Sequence, residues 1–173
     1  KRQVADFGQL PALQTLPALG LFADEAFPFA LDENPTRLEE MTNKALSLLQ
    51  RQDNGFFVMI EGSQIDWCGH ANDIACAMAE MDDFAKSIEL AKAYVDAHPD
   101  TLLVITADHS TGGLTIGANG QYQWDTEVIK GVHKTAWSLA MSLAQSHNMI
   151  ATWNESVDWP LSKEQGRKLA YAK

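Results

Sequence analysis

Two short apolar runs, residues 56–60 (FFVMI) and 102–107 (LLVITA), each give way directly to a cluster of carboxylate and imidazole side chains. A continuous apolar run of that length, bounded by turn chemistry, is the signature of a parallel strand covered on both faces. The first run follows Gln52-Asp53-Asn54-Gly55, which closes a helical stretch in which Leu38, Met41, Ala45, Leu48 and Leu49 fall on one face. Asn34-Pro35 supplies the start of that helix, a capping side chain followed by a residue whose fixed φ suits the first turn. Between the two runs the spacing predicts a long helix over roughly residues 71–97. Its expected buried stripe is Ile74, Met78, Met81, Phe84, Ile88, Ala91 and Val95, and His98-Pro99-Asp100 stops it. Helix, strand, helix, strand in that order indicates an α/β fold, a mainly parallel sheet flanked by helices with right-handed crossovers.

The stretch before Leu31 lacks a clean period and reads as loops and short elements. Beyond Gly117 the character changes: Ala118-Asn119-Gly120 is a turn, Tyr122 to Trp159 is polar and aromatic with helices expected, and the last residues from Ser162 are helical and exposed.

In open parallel sheets, ligands bind outside the carboxyl ends of the strands. The first run ends in Glu61-Gly-Ser-Gln-Ile-Asp66-Trp67-Cys68-Gly69-His70 and the second in Asp108-His109-Ser-Thr-Gly-Gly113. Asp66 and His70 stand four apart at a helix start, so one turn carries both towards the same point. Asp108 and His109 can share an ion only where the backbone bends sharply, which Gly112 and Gly113 permit. Taken alone, either pair also fits a capped helix with a surface His, or an ordinary loop; their joint placement at two strand ends favours metal. Carboxylate oxygen with imidazole nitrogen suits zinc, and an all-oxygen donor such as Glu61 suits magnesium.

Composition sharpens this reading. A net charge of -10 argues against a nucleic-acid partner, because neutralising a phosphate backbone requires clustered Lys and Arg. An anionic substrate then needs positive field from elsewhere, and bound cations are the usual source. No apolar run reaches the roughly 18 residues needed to span a bilayer. The chain begins KRQVADF, with neither an initiator Met nor an apolar leader, so its first residue is not expected to be a translation start. Cys68 and Cys76, eight apart and matching no zinc or disulfide pattern, are expected to be unpaired thiols.

The strings GFFVMIEGSQIDWCGHAND, LLVITADHSTGGLTIG and NPTRLEEMTNKALSLL resemble the alkaline phosphatase family, over roughly residues 19–117 and most closely its bacterial, marine-type members. The resemblance implies an alkaline-phosphatase-like fold and a phosphomonoester hydrolase with two zinc ions and one magnesium ion. It makes Glu61 a magnesium ligand, Asp66 and His70 ligands of the first zinc, and Asp108 and His109 ligands of the second. It also implies a homodimer, exported to the periplasm or secreted. Trp67, beside a zinc-ligand position, is either a pocket residue or a packing residue. Residues 1–117 would form part of the enzyme core, and 118–173 an insertion serving as a cap or dimer contact.

There are departures from the family pattern. The Asp-Ser-Ala motif that holds the nucleophile is absent from these residues, as are the phosphate-binding arginine and the magnesium-binding threonine of the family's N-terminal part. The chain is therefore expected to be an interior to C-terminal piece without phosphatase activity of its own. The remaining histidine of the first zinc has no clear match; His133, in GVHK, lacks the family's surroundings, and His98 and His147 read as surface histidines. A phosphodiesterase or mutase of the same superfamily, and a metal-binding segment without catalysis, are the competing expectations.

Overall fold

The structure is a computed structural model and describes residues 2–33 and 36–171. In chain order it contains β1 (Arg2–Val4), a 3-10 helix (Phe7–Ala12), β2 (Ala18–Gly20), α1 (Arg37–Leu49), α2 (Gln64–His70) and α3 (Ile74–Ala97). A 3-10 turn (Ala118–Gly120) then leads to α4 (Thr126–Lys130), α5 (Ala136–Gln145), α6 (Met149–Asn154) and α7 (Lys163–Tyr171). The expected helix start at Asn34-Pro35 lies outside the described residues; Thr36 occupies the capping position of α1. No helix among the described residues is long and apolar enough to cross a membrane.

The chain divides into two units, with α3 running from one into the other at Glu80–Met81. Unit 1 comprises residues up to 28, then up to 63 from the start of α1, then 81–107. Its core is Val4, Leu10, Leu13 and Leu48, with Phe7, Ala18, Phe22 and Met41 packed against it. β1 and β2 pair in parallel, Arg2 opposite Ala18 and Val4 opposite Gly20. Phe7 meets Phe22 and Phe27 edge to face, at centroid separations of 5.4 and 5.5 Å. Lys44 Nζ on α1 donates to the carbonyls of Pro11 and Leu13, so the helix closes over the N-terminal turn.

The runs 56–60 and 102–107 depart from expectation. Neither has a ladder partner among the described residues, where the only paired strands are β1 and β2. Exposure alternates along the first run: Phe57 and Met59 are 89% and 79% exposed, while Phe56, Val58 and Ile60 are half-buried. Leu102 and Val104 are likewise open beside a half-buried Leu103. A period of two is that of extended chain. Continuous hydrophobicity encodes two covered faces, and the described residues cover only one of them.

Of the predicted stripe, α3 fully buries only Ala91. Cys76, Glu80, Asp83, Ser87 and Ala91 are its buried residues at helical spacing, whereas Met78 and Met81 are exposed and Phe84, Ile88 and Val95 half-buried. The apolar stripe is the periodic signal in the sequence, but nearby partners decide which side is covered: Glu80 accepts a 2.7 Å bond from the Ala30 amide. His98, expected at the surface, is half-buried. Its Nδ1 donates to the Tyr94 carbonyl at 2.8 Å and its ring stacks on Tyr94, closing the last turn of α3.

Unit 2 comprises residues 29–33, 64–80 and those from 108 onward. Its helices are capped by local chemistry. Asp125, Thr135 and Asn148 each accept a backbone N–H from the first turn of α4, α5 and α6. At α7 the Gln165 N–H donates to Ser162 Oγ while the Ser162 N–H donates to Gln165 Oε1, a reciprocal capping box. A distant tie holds α5: Asp32 accepts from the Thr135 amide, the Thr135 hydroxyl and the Ser138 hydroxyl, at 2.9, 2.8 and 2.6 Å.

Candidate metal centre

Four of the five predicted ligands lie together in unit 2. Asp66 and His70 project from one side of α2, as their spacing requires, and Asp66 Oδ2 stands 3.5 Å from His70 Nε2. Asp108 and His109 form a second pair on the loop beyond residue 107, with Asp108 Oδ2 at 3.5 Å from His109 Nε2. The pairs approach each other through Asp66 Oδ1 and His109 Nδ1, 3.9 Å apart. Glu61 closes the run 56–60 in unit 1, where it is exposed. Among the described residues no three His, Cys, Asp or Glu side chains converge on a single point. What the structure assembles is two pairs.

Thr111, for which the sequence offered no signal, links them. Its hydroxyl donates to Asp66 Oδ1 at 2.6 Å and lies 3.2 Å from His109 Nδ1. A hydroxyl has one proton to give. With that proton spent on Asp66, Thr111 can only accept from His109 Nδ1; in the neutral ring the hydrogen then sits on Nδ1 and the Nε2 lone pair is free. Asp108 Oδ1 in turn accepts the His109 backbone N–H at 3.0 Å, holding the carboxylate against its neighbour.

The loop reaches α2 because two glycines meet. Gly112 adopts φ +85°, and a Cβ there would lie 2.4 Å from the Gly69 carbonyl oxygen; one on Gly69 would lie 3.0 Å from the Thr111 carbonyl oxygen. Any side chain at either position would push the two backbones apart. Gly113, also at positive φ, bends the loop without such a neighbour.

The expectation of unpaired thiols is overturned. Cys68 of α2 and Cys76 of α3 form a disulfide, with a Cα separation of 5.5 Å. Sequence spacing matched no familiar pattern because the bond depends on the sharp reversal at Asn72, φ +53°, between the two helices. His133 has its own partner: its Nε2 lies 2.7 Å from Asp158 Oδ1, beside the bridge between Val132 and Val157. Trp67 lies on α2 next to Asp66 and is 45% exposed. His147 is exposed, as read.

The family model described as alkaline phosphatase matches residues 6–168. The chain belongs to the alkaline phosphatase family. It is 44% identical to alkaline phosphatase 3 of Bacillus subtilis over 142 residues, 81% of this chain and 31% of that protein. Among solved structures, the cold-active alkaline phosphatase of the psychrophile Shewanella sp. superposes with a TM-score of 0.95 at 42% identity, over 98% of this chain and 43% of the other. The Thermus thermophilus alkaline phosphatase gives 0.81 at 25% identity, over 98% and 38%. The α/β alkaline phosphatase fold is thus established, and the chain spans about a third of the length of its Bacillus relative.

Proposed function

We propose that the protein carrying this chain is a metal-dependent phosphomonoester hydrolase, with Asp66 and His70 holding a first zinc ion, Asp108 and His109 a second, and Glu61 a magnesium ion. The observation that carries the reading is the spacing of the two pairs. Ligand atoms at bonds of about 2.1 Å around a tetrahedral zinc ion stand roughly 3.4 Å apart. Both carboxylate–imidazole pairs present their donors at 3.5 Å, too long for a hydrogen bond and suited to a shared cation. Oxygen and imidazole nitrogen are also the donor set zinc prefers.

Two divalent ions supply electrostatic stabilisation of the entering and leaving oxygens of a phosphoryl group, and the positive field that a chain of net charge -10 lacks. The residues here do the holding. Thr111 fixes one oxygen of Asp66 and leaves the other turned to His70. The same hydroxyl sets the His109 tautomer, so that Nε2 is the donating atom. Asp108 is anchored by the amide of His109. Trp67 lines the substrate side of the site in this reading, and residues 118–173 form a cap or a dimer contact in an exported homodimer.

The whole protein is expected to hydrolyse p-nitrophenyl phosphate, to lose that activity on chelation, and to regain it with zinc and magnesium together. Undiminished turnover after exhaustive chelation refutes the reading.

A further inference from the structure

α2 is only seven residues long, well below the length at which a helix holds itself together in water. It nevertheless carries both members of the Asp66–His70 pair, so their geometry depends on what restrains α2 from outside. On one side are Gly69 against Gly112 and the Thr111 hydroxyl on Asp66. On the other is the Cys68–Cys76 disulfide, whose two residues are 0% and 2% exposed. Cys68 lies midway between Asp66 and His70, and Cys76 lies in the first turn of α3. The connecting turn is organised around Asp73. Its N–H donates to the Cys68 carbonyl at 3.0 Å, its Oδ1 accepts the Cys76 amide at 3.0 Å, and its Oδ2 accepts the Ala136 amide at 2.6 Å.

Resting on the metal assignment above, we propose that this disulfide is a positioning clamp. It fixes the rotation of α2 against α3, and its reduction loosens the Asp66–His70 pair and weakens metal retention. Reduction by a phosphine consumes one water: the phosphine becomes its oxide, the S–S bond takes two electrons and two protons, and two thiols result. Coupling of this kind is reciprocal. At equilibrium bound zinc therefore favours the disulfide over the thiols; and because so buried a bond is reached only when α2 opens, zinc that holds α2 in place also slows its reduction.

The test uses the whole protein and reads metal and thiols rather than turnover. Zinc transfer to a chromophoric chelator is compared between the parent and the C68A/C76A double variant, with circular dichroism as the check on folding. The double variant should surrender zinc about tenfold more readily, the lower end of what loss of support around a metal ligand costs. Should it fail to fold, the parent is treated with tris(carboxyethyl)phosphine, with and without saturating zinc, and freed thiols are counted by alkylation and mass. Two thiols should appear faster in the zinc-free protein, and the reduced form should release zinc sooner. Equal zinc retention with and without the disulfide overturns the clamp while leaving the metal site standing; so does a rate of reduction indifferent to zinc. A parent with two free thiols overturns the clamp alone, and a parent that binds no zinc overturns both.

Discussion

Replacing Gly112 by alanine should open the metal centre, and its effect can be set against an internal control one residue away. The added Cβ at position 112 would sit 2.4 Å from the Gly69 carbonyl oxygen and 3.1 Å from its carbon, both backbone atoms that no side-chain rotation can move. Ordinary carbon–oxygen contacts are about 3.3–3.6 Å, so the loop and α2 must separate by roughly 1 Å. Alanine at φ +85° carries a further strain of about 1–2 kcal/mol. Overpacking adds about 1–3 kcal/mol, for a total near 2–5 kcal/mol. G113A incurs the strain alone, because its Cβ has no neighbour within 4 Å among the described residues. The separation also pulls Thr111 from Asp66 and parts the two pairs, now 3.9 Å apart at Asp66 and His109. G112A should therefore lose about 10- to 100-fold in zinc affinity, while G113A stays within a few-fold of the parent. Denaturant unfolding and zinc competition on both variants of the whole protein measure the two effects. If G112A and G113A match in stability and in zinc affinity, the backbone contact does not hold the site and the reasoning fails.

T111V keeps the volume but removes the proton given to Asp66; zinc affinity should fall about tenfold while T111S retains most of it, as competition titration would show. D32A leaves the buried Thr135 amide and hydroxyl short of a partner and should lower the unfolding free energy by about 1–3 kcal/mol in denaturant titration, with D32N recovering part of the loss. Burial raises the pKa of Asp83, more than the nearby Lys86 and Arg37 lower it, and Asp83 Oδ1 is buried without a hydrogen-bond partner among the described residues. The folded state then holds the Asp83 proton more tightly than the unfolded chain. That contribution is fully present below the ordinary carboxylate pKa of 3.8 and is lost as pH rises through the raised folded value. Thermal melts should show D83N gaining on the parent as pH rises through that window to neutrality, and a difference that does not vary with pH would contradict the burial argument.

What the residues alone determined is local. α1 and α3 follow from apolar periodicity, the caps of α4 to α7 from side chains one turn away, and the Asp66–His70 pair from a spacing that any helix would honour. The ligand types at the ends of two apolar runs, with the motifs around them, carried the family. Tertiary structure decided the rest. The period of α3 marked an apolar stripe, but only the arrangement of neighbours put Glu80, Asp83 and Ser87 on the buried side. The runs 56–60 and 102–107 read as doubly covered strands, because hydrophobicity records what a strand needs and not what lies beside it. Thr111 is 45 residues from Asp66 in sequence, and no local pattern links them. The disulfide depends on a left-handed turn at Asn72, and the joining of the two ligand pairs on a carbonyl oxygen approaching a glycine that has no side chain. Spacing along a chain specifies contacts within a turn or two; contacts between distant segments exist only once the backbone has brought them together.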